Sequence, residues 1–218
     1  MAKLSGLYAI TDSHLTPTDT LLTAVTQAIS GGARIIQYRD KTNDQVRRLA
    51  ESKQLLQLCR QHDVTLIIND DVALAAKIGA DGVHLGRDDD NIESTRRQLP
   101  KGIIGVSCYN DWHRAVGAAQ AGADYIAFGA FFPSTTKPDT ARAEPDLLKR
   151  AKQELNIAVV AIGGITAENG APLIEAGADM LAAVHGIFGQ PDIRQTAGQY
   201  TQLFITNNET RTQDDSFA

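Results

Sequence analysis

Short runs of apolar residues alternate with longer amphipathic stretches along the chain, and this alternation predicts the fold. Most runs are four or five residues long and lack polar interruptions, which is typical of parallel strands buried on both faces. The predicted strands cover residues 7–11, 35–38, 65–69, 82–85, 103–106, 125–128, 158–162 and 180–184.

Amphipathic patterns follow each run and predict helices. They cover residues 18–30, 43–62, 71–78, 91–98, 110–121, 145–154, 167–176 and 190–204. Three of these patterns begin with Thr18, Asn43 and Asn110, whose side chains are of the type that caps helix N-termini.

Eight strands alternating with eight helices predict a single closed (β/α)8 TIM barrel. A doubly wound open sheet is the alternative, but no G-x-G-x-x-G turn follows the first strand. A weak repeat supports the barrel, because glycine after a helix can adopt the left-handed conformation that ends it. The repeat precedes the second, fourth, sixth and eighth strands as Gly32-Ala33-Arg34, Gly79-Ala80-Asp81, Gly122-Ala123-Asp124 and Gly177-Ala178-Asp179.

The domain prediction is a barrel over residues 1–205 and a polar, disordered C-terminal tail over 206–218. The 218-residue length suits one barrel, and 43% hydrophobic with 22% charged residues is ordinary globular composition.

A net charge of −5 argues against a nucleic-acid partner, and no apolar run approaches the 18 residues of a membrane span. Cys59 and Cys108 are too few for a disulfide framework, so the chain is expected to be a cytoplasmic protein. The sequence leaves a homo-oligomer open.

Polar residues at the strand ends locate candidate chemistry, because such barrels carry their sites at the C-terminal ends of the strands. Gly163-Gly164 follows the seventh strand, and Val184-His185-Gly186 follows the eighth. Glycines there let backbone amides approach phosphate oxygens, so we predict a phosphate site. The alternative is a tight turn without a ligand.

A second anion site is predicted across the barrel mouth. Asp70 and Asp89 end neighbouring strands, and Mg2+ usually takes one or two carboxylates together with substrate phosphate oxygens. Arg39, Lys41 and Lys137 fall on the same face, which indicates a more highly charged group such as a diphosphate. The alternative is a set of surface ion pairs on long loops.

Three further polar residues end apolar runs. Gln37 and Asn69 either hydrogen-bond a polar heterocycle or cap their strands. Ser107 is a substrate contact or a turn residue; no base partner is evident for it, so it is not predicted to be a nucleophile. His84 lies within the fourth run and is expected to be a hydrogen-bonded barrel-interior histidine.

The chain resembles the thiamine-phosphate synthase family, and the matching segments occur in order from about residue 6 to 204. They are GLYAITD at 6–12, QYRDK at 37–41, INDD at 68–71, GADGVHLG at 79–86, GVSCYN at 105–110, GADYIAFGAFFPSTTK at 122–137 and AIGGIT at 161–166. QYRDK together with INDD and the Thr-Lys loop is specific, whereas the two glycines alone would be weak.

The resemblance implies a (β/α)8 transferase of thiamine biosynthesis. It would join 4-amino-2-methyl-5-hydroxymethylpyrimidine diphosphate to a thiazole phosphate and release diphosphate. The pyrimidine diphosphate would be bound by Gln37, Tyr38, Arg39, Asp40, Lys41, Asn69, Ser107 and Lys137. Of these, Arg39, Lys41, Ser107 and Lys137 would be catalytic, and Asp70 and Asp89 would hold Mg2+.

The same resemblance implies a thiazole phosphate site at Ser134, Thr135, Thr136, Gly164, Val184 and His185. Two positions depart from many family members, which have Gln where this chain has Arg87 and Ser where it has His185. Contact through backbone amides would tolerate His185. The alternatives are a thiazole tautomerase of the same barrel group, a sugar-phosphate epimerase and a non-catalytic phosphometabolite sensor.

Overall fold

The predicted barrel is present in the computed structural model, which describes residues 4–87, 91–133 and 142–214. The strands pair in parallel and close in chain order, with β8 returning to β1. They are β1 Gly6–Ile10, β2 Ile35–Tyr38, β3 Thr65–Asn69, β4 Gly82–Leu85, β5 Ile103–Tyr109, β6 Tyr125–Phe128, β7 Ala158–Ile162 and β8 Met180–Ala183. The (β/α)8 prediction is therefore confirmed.

Helices pack around the outside of the strands. They are α1 Leu21–Ser30, α2 Gln45–Gln61, α3 Val72–Ile78, α4 Ile92–Gln98, α5 Trp112–Gln120, α6 Asp146–Glu154, α7 Ala171–Glu175, α8 His185–Phe188 and α9 Ile193–Asp214. The caps differ from the prediction. Asp44 accepts a hydrogen bond from the Arg47 amide, and Asp111 accepts one from the Arg114 amide. Carboxylates one residue further on thus cap α2 and α5, while Thr18 instead donates to Glu51 Oε1 at 2.5 Å.

The last helix is longer than the apolar pattern predicts. The sequence predicts a helix over 190–204 and a disordered tail over 206–218, whereas α9 runs on to Asp214. Tyr200 of α9 is fully buried, while Ile205 is 45% exposed. Once the packed half has nucleated the helix, each added residue fixes little extra backbone, so the polar end can remain helical.

The apolar interior has two layers. The larger lies between the strands and helices, and the smaller fills the inside of the barrel. Because side chains alternate across each strand, every second residue enters the inner layer. That layer consists of Tyr8, Ile10, Ile35, Ile67, Tyr125, Ala127, Val160, Met180 and Ala182.

The Gly-Ala repeat closes the amino-terminal end of the barrel. Gly32, Gly79, Gly122 and Gly177 all have positive φ, as the repeat predicts. Three of the repeats then place an aspartate before a strand. The carboxylates of Asp81, Asp124 and Asp179 each accept the amide of a residue at the start of the preceding strand, at 2.8 Å. The amide of each aspartate also donates back to that same residue's carbonyl. These reciprocal bonds join β3 to β4, β5 to β6 and β7 to β8.

None of the helices within residues 4–87, 91–133 and 142–214 is long and apolar enough to cross a membrane.

Candidate active site

A cavity of about 460 Å3 opens at the carboxyl ends of the strands. Most of the site residues predicted from the sequence and described in the structure line it. They are Gln37, Arg39, Lys41, Asn69, Asp70, Ser107, Gly164, Val184 and His185. Asp89, Lys137, Ser134, Thr135 and Thr136 lie outside the described residues.

Two predicted residues of the QYRDK segment are not brought into the cavity. The Tyr38 hydroxyl donates to Glu51 Oε2 at 2.7 Å, and Asp40 pairs with Arg47 at 2.5 Å, so both side chains face α2. Since side chains alternate along an extended segment, Gln37, Arg39 and Lys41 share the opposite face. The segment therefore splits into a cavity face and a face that anchors it.

The anchoring face is a buried polar cluster. Burial alone would raise the pKa of Asp40, but hydrogen bonds from Thr42 and Arg47 hold it below its usual range. Burial also raises the pKa of Tyr38, with Glu51 adding to the effect. Tyr38 thus stays a neutral donor to Glu51, and the cluster fixes the start of the loop that carries Lys41.

One edge of the cavity combines cations with a carboxylate. Lys41 Nζ contacts Asp70 Oδ2, which also accepts from Asn69 Nδ2 at 2.6 Å. Arg39 pairs with Asp12 at 3.2 Å. Asp70 has φ +62°, a left-handed conformation that Asp and Asn adopt more readily than other side chains with a Cβ.

A further cation, which the sequence reasoning gave no definite role, lies on the same side. The Arg87 guanidinium is 4.7 Å from the centre of the Tyr109 ring, and both residues line the cavity. Tyr109 follows a register shift in β5, between Ser107 and Tyr109. Ser107 and Tyr109 both line the cavity, although the strand predicted over 103–106 ends before either of them.

The opposite edge is built from backbone. Gly163 and Gly164 have φ of +101° and +64°. A Cβ on Gly164 would lie 2.4 Å from the Pro133 carbonyl oxygen. Asn169 donates to the Gly164 carbonyl at 3.0 Å, and the buried Tyr200 hydroxyl donates to the Ile165 carbonyl at 2.7 Å. This turn is held in place from outside, and only glycine fits its close approach.

His185 opens α8 beside that turn. Its ring packs against Gly189, where an added Cβ would lie 2.6 Å from His185 Cδ2. The first amides of a helix have no partner within the helix, so backbone rather than ring is the group that position 185 offers to an anion.

The floor of the cavity carries a chain of polar side chains. Gln37 Nε2 donates to the Tyr8 hydroxyl at 2.7 Å, and the Tyr8 and Tyr125 hydroxyls are 2.7 Å apart. Tyr125 lies 2.9 Å from His84 Nδ1, and His84 Nε2 lies 2.8 Å from Ser107 Oγ. The expectation that His84 is a hydrogen-bonded interior histidine is confirmed.

The sequence shows no base partner for Ser107, whereas the structure places His84 Nε2 at 2.8 Å from its Oγ. Sequence reasoning missed Tyr8 and Tyr125 because both count as apolar positions in a strand pattern. The alternation along each strand could have located them, because Tyr8 is two residues from the inward-facing Ile10 and Tyr125 is two residues from the inward-facing Ala127.

Burial determines the protonation states of the histidine and the two tyrosines on the cavity floor. It lowers the pKa of His84 to about 4, against a smaller opposing effect of Asp70, so the imidazole is neutral near pH 7. Burial raises the pKa of Tyr8 and of Tyr125, so both stay protonated. Burial also raises the pKa of Cys108 to about 12, which leaves that thiol unreactive.

Fold and cavity together define a class of protein: a (β/α)8 barrel enzyme with cationic side chains on one side of its mouth and a glycine turn on the other. The family model described as thiamine monophosphate synthase matches residues 7–187. The chain belongs to that family, and it is a transferase of thiamine biosynthesis.

Curated relatives agree over nearly the whole chain. The thiamine-phosphate synthase of Nitrosococcus oceani is 53% identical over 208 residues, which is 95% of this chain and 96% of the relative. That of Thiobacillus denitrificans is 50% identical over 206 residues, with 94% and 97% covered.

Solved structures give the same family and a wider fold group. A thiamine phosphate pyrophosphorylase from Pyrococcus furiosus superposes with a TM-score of 0.85 at 33% identity, covering 93% of this chain and 96% of that one. A 3-hexulose-6-phosphate synthase from Salmonella typhimurium superposes with a TM-score of 0.72 at 18% identity, covering 92% and 99%. The second likeness shows the fold alone.

Proposed function

We propose that this cavity is where the pyrimidine diphosphate and the thiazole phosphate are joined to give thiamine phosphate and diphosphate. The observation that carries the proposal is the pairing of two unlike anion sites in one cavity. Arg39, Lys41 and Asp70 line one side, and the Gly164 turn with the start of α8 lines the other. Two phosphorylated substrates that must meet need such an arrangement.

The cation side suits the diphosphate. Arg39 and Lys41 offer positive charge where negative charge accumulates as the diphosphate leaves, which is the kind of electrostatic stabilisation that lowers such barriers. By the family resemblance, Lys137 would add a third cation. Asn69 orients the Asp70 carboxylate by its hydrogen bond.

The same side fits Mg2+. Asp70 supplies a hard oxygen donor at the mouth, and Asp89 would supply a second from the segment after β4. Among the described residues no three His, Cys, Asp or Glu side chains group into an all-protein site. That fits a metal whose remaining ligands are phosphate oxygens and water. When bound, Mg2+ would neutralise part of the diphosphate charge.

The reaction then asks little acid–base chemistry of the protein. The bond between the pyrimidine methylene carbon and the diphosphate oxygen breaks, and the diphosphate takes the electron pair. The thiazole nitrogen lone pair forms the new carbon–nitrogen bond. Gln37 and Ser107 hold the heterocycle, and the polar and glycine-lined walls keep both substrates in one geometry.

The glycine side suits the thiazole phosphate. Backbone amides at Gly164, Val184 and His185 approach the anion without side-chain obstruction. By the family resemblance, Ser134, Thr135 and Thr136 complete the site. A thiazole tautomerase would use this side but would have no need for the cations beside Asp70.

The free, buried Cys59 and Cys108 support a reducing compartment, which we take to be the cytoplasm.

Purified protein given both substrates tests the proposal, with thiamine phosphate and diphosphate measured in Mg2+ or in EDTA. Product that requires both substrates and Mg2+ is expected. Asp70→Asn keeps the left-handed backbone and should raise the Mg2+ concentration needed for half-maximal rate about tenfold or more. Asp89→Ala and Lys137→Ala should lower turnover without unfolding the chain.

Thiazole phosphate binding without product would instead favour the tautomerase or the sensor. Full turnover in EDTA would remove the metal from the proposal while leaving the reaction intact.

A further inference from the structure

The hydrogen bonds along the cavity floor have only one consistent direction. Gln37 Nε2 carries only protons to give, so the Tyr8 oxygen accepts from it. Within the described part of the chain, the other hydrogen-bond partner of the Tyr8 hydroxyl is Tyr125, so Tyr8 donates to Tyr125. Tyr125, already accepting, then donates to His84 Nδ1.

That direction decides the tautomer of His84. A neutral imidazole has one nitrogen that accepts and one that donates. With Nδ1 accepting from Tyr125, the proton lies on Nε2, which donates to Ser107 Oγ. With the opposite tautomer His84 would donate to Tyr125, and the hydroxyl proton of either Tyr125 or Tyr8 would then have no acceptor among the described residues of this series.

The two residues at the ends of this series of hydrogen bonds, Gln37 and Ser107, line the cavity. Ser107 accepts from His84, so its own proton is available to a bound molecule, and Gln37 presents its amide oxygen. A donor at one end and an acceptor at the other match a planar ring that carries an acceptor nitrogen beside an amino group.

We propose that Tyr8, Tyr125 and His84 are positioning residues that fix Ser107 as a donor and Gln37 as an acceptor toward the pyrimidine. The proposal rests on the function proposed above and adds a specificity device to it. Ser107 is not a nucleophile here, because the histidine nitrogen facing it carries a proton and cannot take another.

Tyr125 is held in place for this role. Its ring stacks on His84, with centroids 5.6 Å apart, and meets Tyr8 edge to face at 5.9 Å. Replacing its hydroxyl by hydrogen removes the donor to His84 and keeps the ring. Tyr8 and His84 then each lose a hydrogen-bond partner, so the donor and acceptor roles along the floor are no longer defined.

The direct test is nitrogen NMR of uniformly 15N-labelled protein, in which the two ring nitrogens report which one is protonated. Signals of His84 are assigned by their loss in His84→Gln. The Nε2–H tautomer is expected in the unmodified chain, and a mixture of tautomers is expected in Tyr125→Phe. The Nδ1–H tautomer in the unmodified chain would overturn the proposal without any variant.

Steady-state kinetics give the second readout. Tyr125→Phe should lower kcat/KM for the pyrimidine diphosphate about tenfold, while KM for the thiazole phosphate stays within about twofold. Tyr8→Phe should have a smaller effect, since Tyr125 can still donate to His84. His84→Gln retains an acceptor and a donor and should keep more activity than His84→Leu.

Tyr200→Phe is the matched control, because it removes a buried tyrosine hydroxyl that bonds the Ile165 carbonyl instead. It should leave the His84 tautomer unchanged and act on the thiazole phosphate KM. A Tyr125→Phe enzyme with the unmodified tautomer and unmodified kcat/KM would refute the positioning role. Absence of product from the unmodified chain would refute the proposed function, and the tautomer would still be read independently.

Discussion

Gly105 lies directly against the ring of Tyr125. A Cβ built at position 105 would stand 1.9 Å from Tyr125 Cζ, which no side chain could tolerate. The missing side chain on β5 is thus the space that the tyrosine on β6 fills. Sequence, packing and site are linked here, because the hydroxyl of that ring joins Tyr8 to His84.

Gly105→Ala should therefore damage stability and activity together. Overfilling a packed core typically costs about 1–3 kcal/mol, and a clash this short belongs at or above the upper end. Urea unfolding measures the change in free energy of unfolding. A variant as stable as the original, with normal kcat/KM, would show that the ring is free to move aside.

Lys41→Met should lower kcat about 100-fold and change the free energy of unfolding by less than about 1 kcal/mol. The side chain is 60% exposed, so its pair with Asp70 adds little stability, whereas its charge faces the cavity. Lys149→Met is the control, because Lys149 forms an exposed pair with Asp146 on α6. Equal kcat in the two variants would contradict the role assigned to Lys41.

Gly164→Ala should raise KM for the thiazole phosphate about tenfold or more. Its φ of +64° disfavours a side chain, and the new Cβ would press on the Pro133 carbonyl. Gly117→Ala is the matched substitution on α5, where nothing lies within 4 Å. There alanine should stabilise the chain by about 0.5–1 kcal/mol. An unchanged KM in Gly164→Ala would exclude the turn from the phosphate site.

Stability should fall as the pH drops from about 6.5 toward 4. Burial lowers the pKa of His84 to about 4, while an unfolded histidine titrates near 6.5. In this window the unfolded chain binds a proton that the folded chain does not, so acid favours unfolding. His84→Gln should show a flatter dependence between these pH values in urea unfolding. Parallel pH curves for the two proteins would argue against a neutral His84.

Most of the fold and about half of the site could be predicted from the sequence. Apolar runs mark the strands because both faces are buried, and the polar residue that ends each run marks the mouth. The family resemblance assigns Tyr38 and Asp40 to the site together with their neighbours, because the motif QYRDK is matched as five consecutive residues. The extended backbone sends alternate residues to opposite faces, and only the partners on α2, Arg47 and Glu51, show which face is which.

The polar residues of the cavity floor could not be predicted from the hydrophobic pattern for a different reason. Tyr8 and Tyr125 belong to the inner apolar layer by burial, yet their hydroxyls need partners there. The partners on β2 and β4 are 29 and 41 residues away in the sequence, and Tyr8 and Tyr125 themselves are 117 residues apart. Hydrophobic periodicity reports burial, and it does not report which buried hydroxyls meet.

The reciprocal aspartate bonds at the amino-terminal end divide the ring into pairs of strands. Asp81 ties β4 back to β3, Asp124 ties β6 to β5, and Asp179 ties β8 to β7. Each of these three pairs, with its helices, is a quarter of the barrel with its own internal staple, whereas the β1–β2 quarter has Arg34 in place of the aspartate. A circularly permuted chain opened between two quarters keeps every staple within a continuous stretch. One opened inside the β3–β4, β5–β6 or β7–β8 quarter must re-form its staple between the two new ends, so the barrel has preferred positions for new chain termini.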